Sequence, residues 1–555
     1  MNIKETVRKQ ISNLVDGAIS KCGFEAVAYQ VETPREKANG DFSTNAAMLL
    51  TKIAKKAPRM IAEELVSNMD CKDTYIEKVE IAGPGFINFY LNKNWLYDVI
   101  DLVEKMGNRY GSIDYGKGKK VMVEFISANP TGPMHMGNAR GGALGDSMAA
   151  VLDFAGFDVT REFYLNDAGN QVEKFACSLE ARYLQQCGVD VPFEEEWYQG
   201  ADITQRAIEF IEINGDKFVN AESDQRKKAL VDYALNKNVE LMKKTLGDYR
   251  VNYDVWFYES ELHNNGEVMK TVEILKENGY TYEKDGAIWL KSADEEEKDD
   301  VLVRANGIPT YFAADIAYHR NKFVTRGFDR VIDVWGADHH GHVARMKYAM
   351  DAVGVEPDKL EVVLMQLVRL MRNGEVARMS KRTGKAITLD DLLEEIGIDA
   401  ARFFFNMRNA GSHFDFDLDL AVEQSNNNPV FYVQYAHARI ASIINSLKEE
   451  GVNVKSHKDV DLSLLNKQEE FDLIEKLAQY PQEITISAQT EDPSRITRYV
   501  LDVASLFHTF YNAPDCRVKC DDENLMASRL LMINCVKTVI GNALDLLGID
   551  APEKM

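Results

Sequence analysis

The chain has 555 residues, of which 45% are hydrophobic and 28% charged, and its formal net charge is -23. This length predicts roughly three or four domains, and the balance of apolar and charged residues excludes a largely disordered chain. The sequence contains no apolar run of about 18 residues and no signal-like start, so we expect a cytoplasmic protein outside the membrane. The acidic charge argues against a general polyanion binder, although a nucleic acid could still bind along a local basic surface.

The seven cysteines are scattered and include no paired CxxC arrangement. We therefore expect reduced thiols. The closest pair, Cys516 and Cys520 in "CRVKC", lacks a second pair of ligands, so no zinc site is expected there.

The first part of the chain, residues 1–105, alternates helical patterns with strand-like runs and predicts a small α/β module. In "IEKVEIAGPGFINFYL", Gly-Pro-Gly between two β-rich runs predicts a tight hairpin. The basic stretch "KIAKKAPR" fits a solvated face better than a binding site. A polar, glycine-rich linker is expected over residues 106–119.

Residues 118–395 repeat strand, polar turn and helix. "KVMVEFI" predicts a buried strand, followed by a helix over Gly137–Phe154. "VIDVWGADHHGHVARMKYAMDAVG" predicts a second strand, turn and helix, and "EVVLMQLVRL" a third strand. This repetition predicts a Rossmann-type, doubly wound parallel sheet with ligands at the carboxyl ends of its strands.

The rest of the chain is predominantly helical in pattern. Residues 166–300 are rich in helix formers and acids and read as an insertion in the catalytic domain. Residues 396–428 read as a connecting helical segment, and residues 429–555 as an all-α helix bundle. The whole is therefore expected to be an α/β multidomain protein.

The loop "SANPTGPMHMGNAR", Ser127–Arg140, lies between the first predicted strand and its helix. Such dense proline and glycine often mean only a turn. The free N–H groups of a helix start, however, favour an anion. His135 and Asn138 are three positions apart and can both donate to phosphate oxygens from this place.

A second loop, "RMSKRTGK", residues 378–385, carries four cations. It precedes a predicted helix in which Thr388 and Asp391 have capping-box spacing. A cationic loop tethered to a fixed helix suits the neutralisation of a departing pyrophosphate.

Together, "HMGN" and "MSKR" resemble the two signature motifs of class I aminoacyl-tRNA synthetases. "GDFSTNAAMLL", "AGPGFINFYL", "GADHHGH", "VQYAHARI" and "LGIDAPEKM" narrow the resemblance to the arginyl-tRNA synthetase family. The resemblance implies ATP-dependent activation of L-arginine to arginyl-adenylate and its transfer to the 3′ end of tRNA(Arg). It also implies an N-terminal module that contacts tRNA, an anticodon-binding bundle and a monomer.

The resemblance assigns two sets of residues to ATP. The catalytic residues are His135, Asn138 and Lys381. The ATP-binding residues are Pro133, His135, Gly137, Asn138, Met379, Ser380, Lys381 and Arg382. Mg2+ is expected to accompany ATP, without a dedicated set of protein ligands.

A substrate guanidinium needs carboxylates placed for paired hydrogen bonds. The resemblance assigns arginine binding to Glu124, Ser127, Asn129, Tyr311, Asp315 and His339. Glu124 stands in an otherwise apolar strand, where an unpartnered charge is costly. Tyr311 and Asp315 share a face if their segment is helical, although Tyr311 fits a core position equally well.

The sequence departs from the family motifs at two positions and leaves other interpretations open. Asn138 replaces a histidine, and Arg378 replaces a lysine. The "DHHGH" cluster resembles a metal site, but the family binds substrate at this turn, so no zinc is expected. A small-molecule nucleotidyltransferase or a non-catalytic tRNA-binding relative stays possible. Phe42, Tyr435 and Arg439 are candidate tRNA contacts.

Overall fold

The computed structural model describes residues 3–292, 298–377 and 387–555. Its N-terminal part packs helices on a four-stranded antiparallel sheet of order β1-β2-β4-β3. Its elements are α1 (Ile3–Lys21), β1 (Val31–Glu32), β2 (Phe42–Thr44), α2 (Ala46–Leu49), α3 (Thr51–Ala54), α4 (Pro58–Ser67), β3 (Ile76–Ala82), β4 (Phe86–Leu91) and α5 (Asn94–Met106).

The predicted hairpin is confirmed, because β3 and β4 pair in antiparallel register around the Gly-Pro-Gly turn. Gly85 has φ +139°, and a Cβ there would lie 2.9 Å from the carbonyl carbon of Pro58. The turn therefore requires glycine at this position.

The central part of the chain forms the parallel sheet and the elements around it. These are β5 (Lys120–Glu124), α6 (Gly137–Phe154), β6 (Asp158–Leu165), α7 (Asn170–Gln186), α8 (Ala201–Asn214), α9 (Ser223–Asp248), β7 (Val255–Tyr258), α10 (Glu259–Asn264), α11 (Glu267–Glu277), β8 (Thr281–Lys284), β9 (Ala287–Leu290), β10 (Asp300–Val303), α12 (Tyr311–Arg320), β11 (Arg330–Gly336), α13 (His340–Ala352), β12 (Leu360–Met365), β13 (Val368–Arg372), β14 (Glu375–Val376), α14 (Leu389–Ile396), α15 (Ile398–Phe405), β15 (Phe414–Asp417) and α16 (Leu418–Ala421).

Five parallel strands lie in the order β12-β11-β5-β6-β7, which confirms the doubly wound sheet. Strand β5 is apolar on both faces, as a covered parallel strand should be. From β5 the chain adds β6 and β7 on one side of the sheet, and β11 and β12 on the other side. The position between β5 and β11, where this direction changes, is the switch point of the sheet. A crevice forms at such a switch point, outside the carboxyl ends of the strands.

Two predicted segments differ from the structure. Strand β7 lies within residues 166–300 yet joins the parallel sheet beside β6, so part of that range belongs to the catalytic sheet. The run "EVVLMQLVRL" is two strands, not one, because the backbone leaves the sheet at Gln366. There the Gln366 N–H donates to the Ala410 carbonyl at 3.0 Å, and its own carbonyl accepts from Arg140 Nη1 at 2.6 Å.

The C-terminal part is a helix bundle. Its helices are α17 (Pro429–Glu449), α18 (Gln468–Leu477), α19 (Tyr480–Thr490), α20 (Ser494–Asn512) and α21 (Glu523–Leu546). Helix α21 is buried along most of its length and forms the centre of the bundle. Within residues 3–292, 298–377 and 387–555, no helix is long and apolar enough to cross a membrane.

Candidate active site

A cavity of about 830 Å³ opens at the carboxyl ends of β5 and β11. The predicted residues that line it are Glu124, Ser127, Asn129, Gly137, Asn138, Tyr311, Asp315 and His339. Residues separated by more than 200 positions thus meet at the switch point. Pro133 and His135 are exposed nearby and do not line the cavity. Met379, Ser380, Lys381 and Arg382 lie outside the described residues.

The loop between β5 and α6 is fixed by contacts from distant elements. The Met136 N–H donates to the Ile387 carbonyl at 3.3 Å, so this loop adjoins the residues that follow the cationic loop. The side-chain amide of Asn238, on α9, donates to the Pro130 carbonyl at 2.9 Å. Helix α6 begins at Gly137, as predicted, and Gly137 lines the cavity. The Asn138 and Ala139 N–H groups donate to the His135 and Met136 carbonyls at 2.9 Å and 3.0 Å, so the Gly137 N–H is the backbone donor that this helix start offers to a ligand.

Asn138 has a structural contact of its own. Its Oδ1 accepts a hydrogen bond from the His135 backbone N–H at 3.0 Å, which leaves its amide N–H groups as donors. That His135 and Asn138 both donate to phosphate oxygens therefore stays a prediction, and the Asn138 oxygen additionally stabilises the loop.

Glu124, at the end of β5, is 6% exposed and contacts three side chains. Ser127 Oγ donates to Glu124 Oε1 at 2.5 Å, and Lys322 Nζ donates to Oε2 at 2.5 Å. The Tyr318 hydroxyl lies 2.9 Å from Oε2. Burial and the nearby Asp333 raise the pKa of Glu124, while Lys322 and Ser127 oppose that rise. The ammonium of Lys322 thus stabilises the buried carboxylate of Glu124, and the sequence reasoning did not identify this lysine.

Asp315, on α12, is held by two histidines. Its Oδ2 lies 2.7 Å from His342 Nε2, and its Oδ1 lies 3.2 Å from His319 Nδ1. Burial would raise the pKa of Asp315, but the two imidazoles outweigh burial and lower it. Asp315 is therefore an anion beside the cavity.

Four polar residues of "YFAAD" and "DHHGH" are exposed: Tyr311, Asp338, His339 and His340. Tyr311 is 61% exposed, which rules out the core position considered for it. His342 contacts Asp315. No group of three His, Cys, Asp or Glu side chains able to hold a metal occurs in the part of the chain that the structure describes. His339 is exposed at the cavity, beside the Trp335 ring.

A row of three carboxylates crosses the sheet at the cavity, and the sequence reasoning missed two of them, Glu162 and Asp333. Glu162, Glu124 and Asp333 are register partners on β6, β5 and β11. Glu162 pairs with Arg326, and Asp333 pairs with Lys322 at 2.9 Å. The sequence did carry a signal for Asp333, which interrupts an apolar strand pattern as Glu124 does.

The candidate tRNA contacts differ in how exposed their side chains are to a ligand. Phe42 is only 3% exposed beneath Arg8, so it cannot stack on a base, and that suggestion is wrong. On the bundle, the Arg439 guanidinium lies 5.0 Å from the Tyr435 ring centroid and 4.7 Å from that of Tyr511. This cluster of Tyr435, Arg439 and Tyr511 presents two rings and a cation on one surface.

Three family models match the chain. They describe an arginyl tRNA synthetase N-terminal domain over residues 1–91, a class I (R) tRNA synthetase catalytic domain over residues 101–454, and a DALR anticodon-binding domain over residues 433–555.

Relatives match over their whole length. The chain is 60% identical over 562 residues to an arginine–tRNA ligase of Caldanaerobacter subterraneus subsp. tengcongensis, with 100% of both chains covered. It is 59% identical to that of Acetivibrio thermocellus, again with 100% of both covered. The solved structure of Thermus thermophilus arginyl-tRNA synthetase shares the fold, with a TM-score of 0.74, 22% identity, and 99% of this chain and 100% of that chain covered.

Proposed function

The chain belongs to the arginyl-tRNA synthetase family and charges tRNA(Arg) with arginine, and from this premise we propose which of its residues bind each substrate. ATP is the co-substrate of this class I ligase. The observation that carries the proposal is the pair of buried carboxylates, Glu124 and Asp315, that reach one cavity from β5 and α12.

Glu124 and Asp315 bind the guanidinium of arginine. Both carboxylates are held by neighbouring side chains, so they are oriented before the substrate arrives. A planar guanidinium offers five donors and retains its charge, which suits two separated carboxylates. Tyr311 and His339 border the same cavity and complete the arginine site.

Ser127 and Asn129 line the same cavity and lie in the chain between Glu124 and Gly137, where α6 begins. Asn129 binds the α-amino and carboxylate end of arginine, which directs the substrate carboxylate toward ATP. Positioning of this kind supplies much of the rate in a reaction that needs little covalent help.

The ATP phosphates lie against the start of α6. The Gly137 N–H and the Asn138 side-chain amide donate to phosphate oxygens, and His135 contributes from the rim. Pro133 and Gly137 shape the loop. Met379, Ser380, Lys381 and Arg382 contact ATP in the proposal by their resemblance to the family motif, and Lys381 stabilises the transferring phosphates. Mg2+ accompanies ATP.

The reaction has two steps. The arginine carboxylate attacks the α-phosphorus of ATP, and pyrophosphate leaves with the electron pair of the broken P–O bond. The terminal ribose hydroxyl of tRNA(Arg) then attacks the acyl carbon of arginyl-adenylate, and AMP leaves. The charge that develops on the phosphates is stabilised by the donors at the start of α6 and by the cationic loop.

The parts outside the catalytic sheet bind tRNA. Residues 1–105 form a tRNA-contacting module, and residues 118–395 form the catalytic domain. Residues 396–428 connect it to the anticodon-binding bundle of residues 429–555, where the cluster of Tyr435, Arg439 and Tyr511 offers rings for base stacking. The enzyme acts as a monomer in the cytoplasm, a reducing compartment that suits its free cysteines.

The substitution Asp315→Asn tests the arginine site. The amide keeps the shape but loses the charge, so the KM for arginine should rise about 100-fold with little change in the KM for ATP. Steady-state aminoacylation of tRNA(Arg) measures both constants. Glu180→Gln is the matched control, since it neutralises a carboxylate that pairs with Arg226 on the helical insertion. An unchanged arginine KM in Asp315→Asn would remove Asp315 from the site.

A further inference from the structure

Lys322 is a fully buried cation that does not line the cavity. It lies in a π-helical turn, Asn321–Thr325, that directly follows α12. Its Nζ is 2.5 Å from Glu124 Oε2 and 2.9 Å from Asp333 Oδ1. Such irregular turns are frequent at functional sites, and this one places an ammonium behind a substrate-binding carboxylate.

The geometry leaves part of Glu124 open to the cavity. A carboxylate offers about four lone-pair positions, and here Ser127, Lys322 and Tyr318 lie at three of them. Lys322 and Ser127 approach different oxygens, so the plane of the carboxylate is fixed. The remaining position is available to a donor that enters from the cavity.

We propose that Lys322 is a positioning residue for arginine recognition, which keeps Glu124 ionised and orients it toward the guanidinium of the substrate. The inference rests on the proposed role of Glu124. Lys322 does not contact the substrate itself. Asp333 holds Lys322 in place and also contacts His319 Nε2 at 2.8 Å, and His319 reaches Asp315. The two guanidinium-binding carboxylates are thereby joined through one buried chain of contacts.

The electrostatics of the sheet explain why a lysine is needed. Three carboxylates lie side by side across β6, β5 and β11, and like charges in register destabilise one another. The titratable and charged groups around Glu124 are Glu162, Tyr253, Tyr311, Asp315, Tyr318, His319, Lys322, Arg326, Asp333 and His342.

Of these groups, Lys322 is the cation in direct contact with Glu124. Burial and Asp333 raise the pKa of Glu124, and the ammonium opposes both. Without Lys322, burial and Asp333 would raise the pKa of Glu124 further, so Glu124 would more readily bind a proton and lose its charge. It would regain that charge as the pH rises through its pKa.

The test is the pH dependence of the arginine KM in Lys322→Met. At the lower end of the pH range the KM should exceed the wild-type value by roughly 10- to 100-fold, and it should fall toward the wild-type value as the pH rises. The KM for ATP should stay close to wild type throughout. Lys322→Arg, which keeps the charge, should restore much of the arginine affinity.

Two further variants separate this effect from damage to the fold. Lys322→Met/Asp333→Asn removes one buried charge of each sign, so it should fold. Its arginine KM should again fall with rising pH, but at lower pH than in Lys322→Met, because Asp333 no longer raises the pKa of Glu124. Arg226→Met breaks a comparable ion pair with Glu180 on the helical insertion and should leave the arginine KM unchanged at every pH.

The outcomes are distinct. An arginine KM that is raised equally at all pH values, or together with the KM for ATP, overturns the proposal. So does a wild-type arginine KM that itself falls steeply as the pH rises, because Glu124 would then be largely protonated although Lys322 is present. If Glu124→Gln leaves the arginine KM unchanged, the proposed site fails. If Glu124→Gln raises the KM while Lys322→Met does not, only the role of Lys322 fails.

Discussion

At the scale of single residues, the site depends on polar side chains whose partners lie far away in the chain. Glu124 and Asp315 could be predicted because the resemblance to the synthetase family assigns both to arginine binding, and Glu124 also stands out as a carboxylate in an apolar strand. Both reach the cavity. Lys322 could not be paired with Glu124 in the same way, because their contact joins residues 198 positions apart.

Asn138 provides a prediction at this scale. Asn138→Ala removes the acceptor for the His135 N–H and the amide donor at the cavity, so kcat should fall about tenfold, as expected for one lost hydrogen bond. Asn138→His should retain most of the activity, since an imidazole can accept from the same N–H. Single-turnover arginyl-adenylate formation with tRNA present measures the effect. Equal rates for the wild type and Asn138→Ala would remove this contact from catalysis.

At the scale of elements, strands and helices with strong local patterns were predictable. Helix α6 runs over Gly137–Phe154 as predicted, and the Thr388 hydroxyl and Asp391 carboxylate form the expected capping box at α14. The division of "EVVLMQLVRL" into β12 and β13 was not predictable, because hydrogen bonds to Ala410 and Arg140 bend the backbone. Strand β7 was also missed, because four residues among long helical patterns carry little periodicity.

At the scale of the whole molecule, a chain of net charge -23 binds a polyanion only through local surfaces. We propose that one such surface lies on the bundle, where Tyr435, Arg439 and Tyr511 are in contact. It lies on helices α17 and α20, which belong to the part matched by the anticodon-binding model. The sequence suggested Tyr435 and Arg439 as tRNA contacts, whereas Tyr511 could be added only once the fold showed it beside Arg439.

Arg439→Ala tests this surface. The variant loses the guanidinium and the contacts that hold the Tyr435 and Tyr511 rings. The KM for tRNA(Arg) should therefore rise about tenfold, while the KM for arginine stays unchanged. Aminoacylation at varied tRNA concentration measures the change, with Arg498→Ala, an exposed cation on the same bundle, as the control. A tRNA KM that is unaffected in Arg439→Ala would place the anticodon elsewhere on the bundle.

The central claim is that two carboxylates from different elements bind the guanidinium of arginine. A crystal structure of the wild-type enzyme with arginine bound tests this claim most directly. We expect the guanidinium nitrogens within about 3 Å of carboxylate oxygens of both Glu124 and Asp315, with Lys322 still in contact with Glu124. A guanidinium that contacts neither carboxylate, with the side chain of arginine in another part of the cavity, would contradict the account.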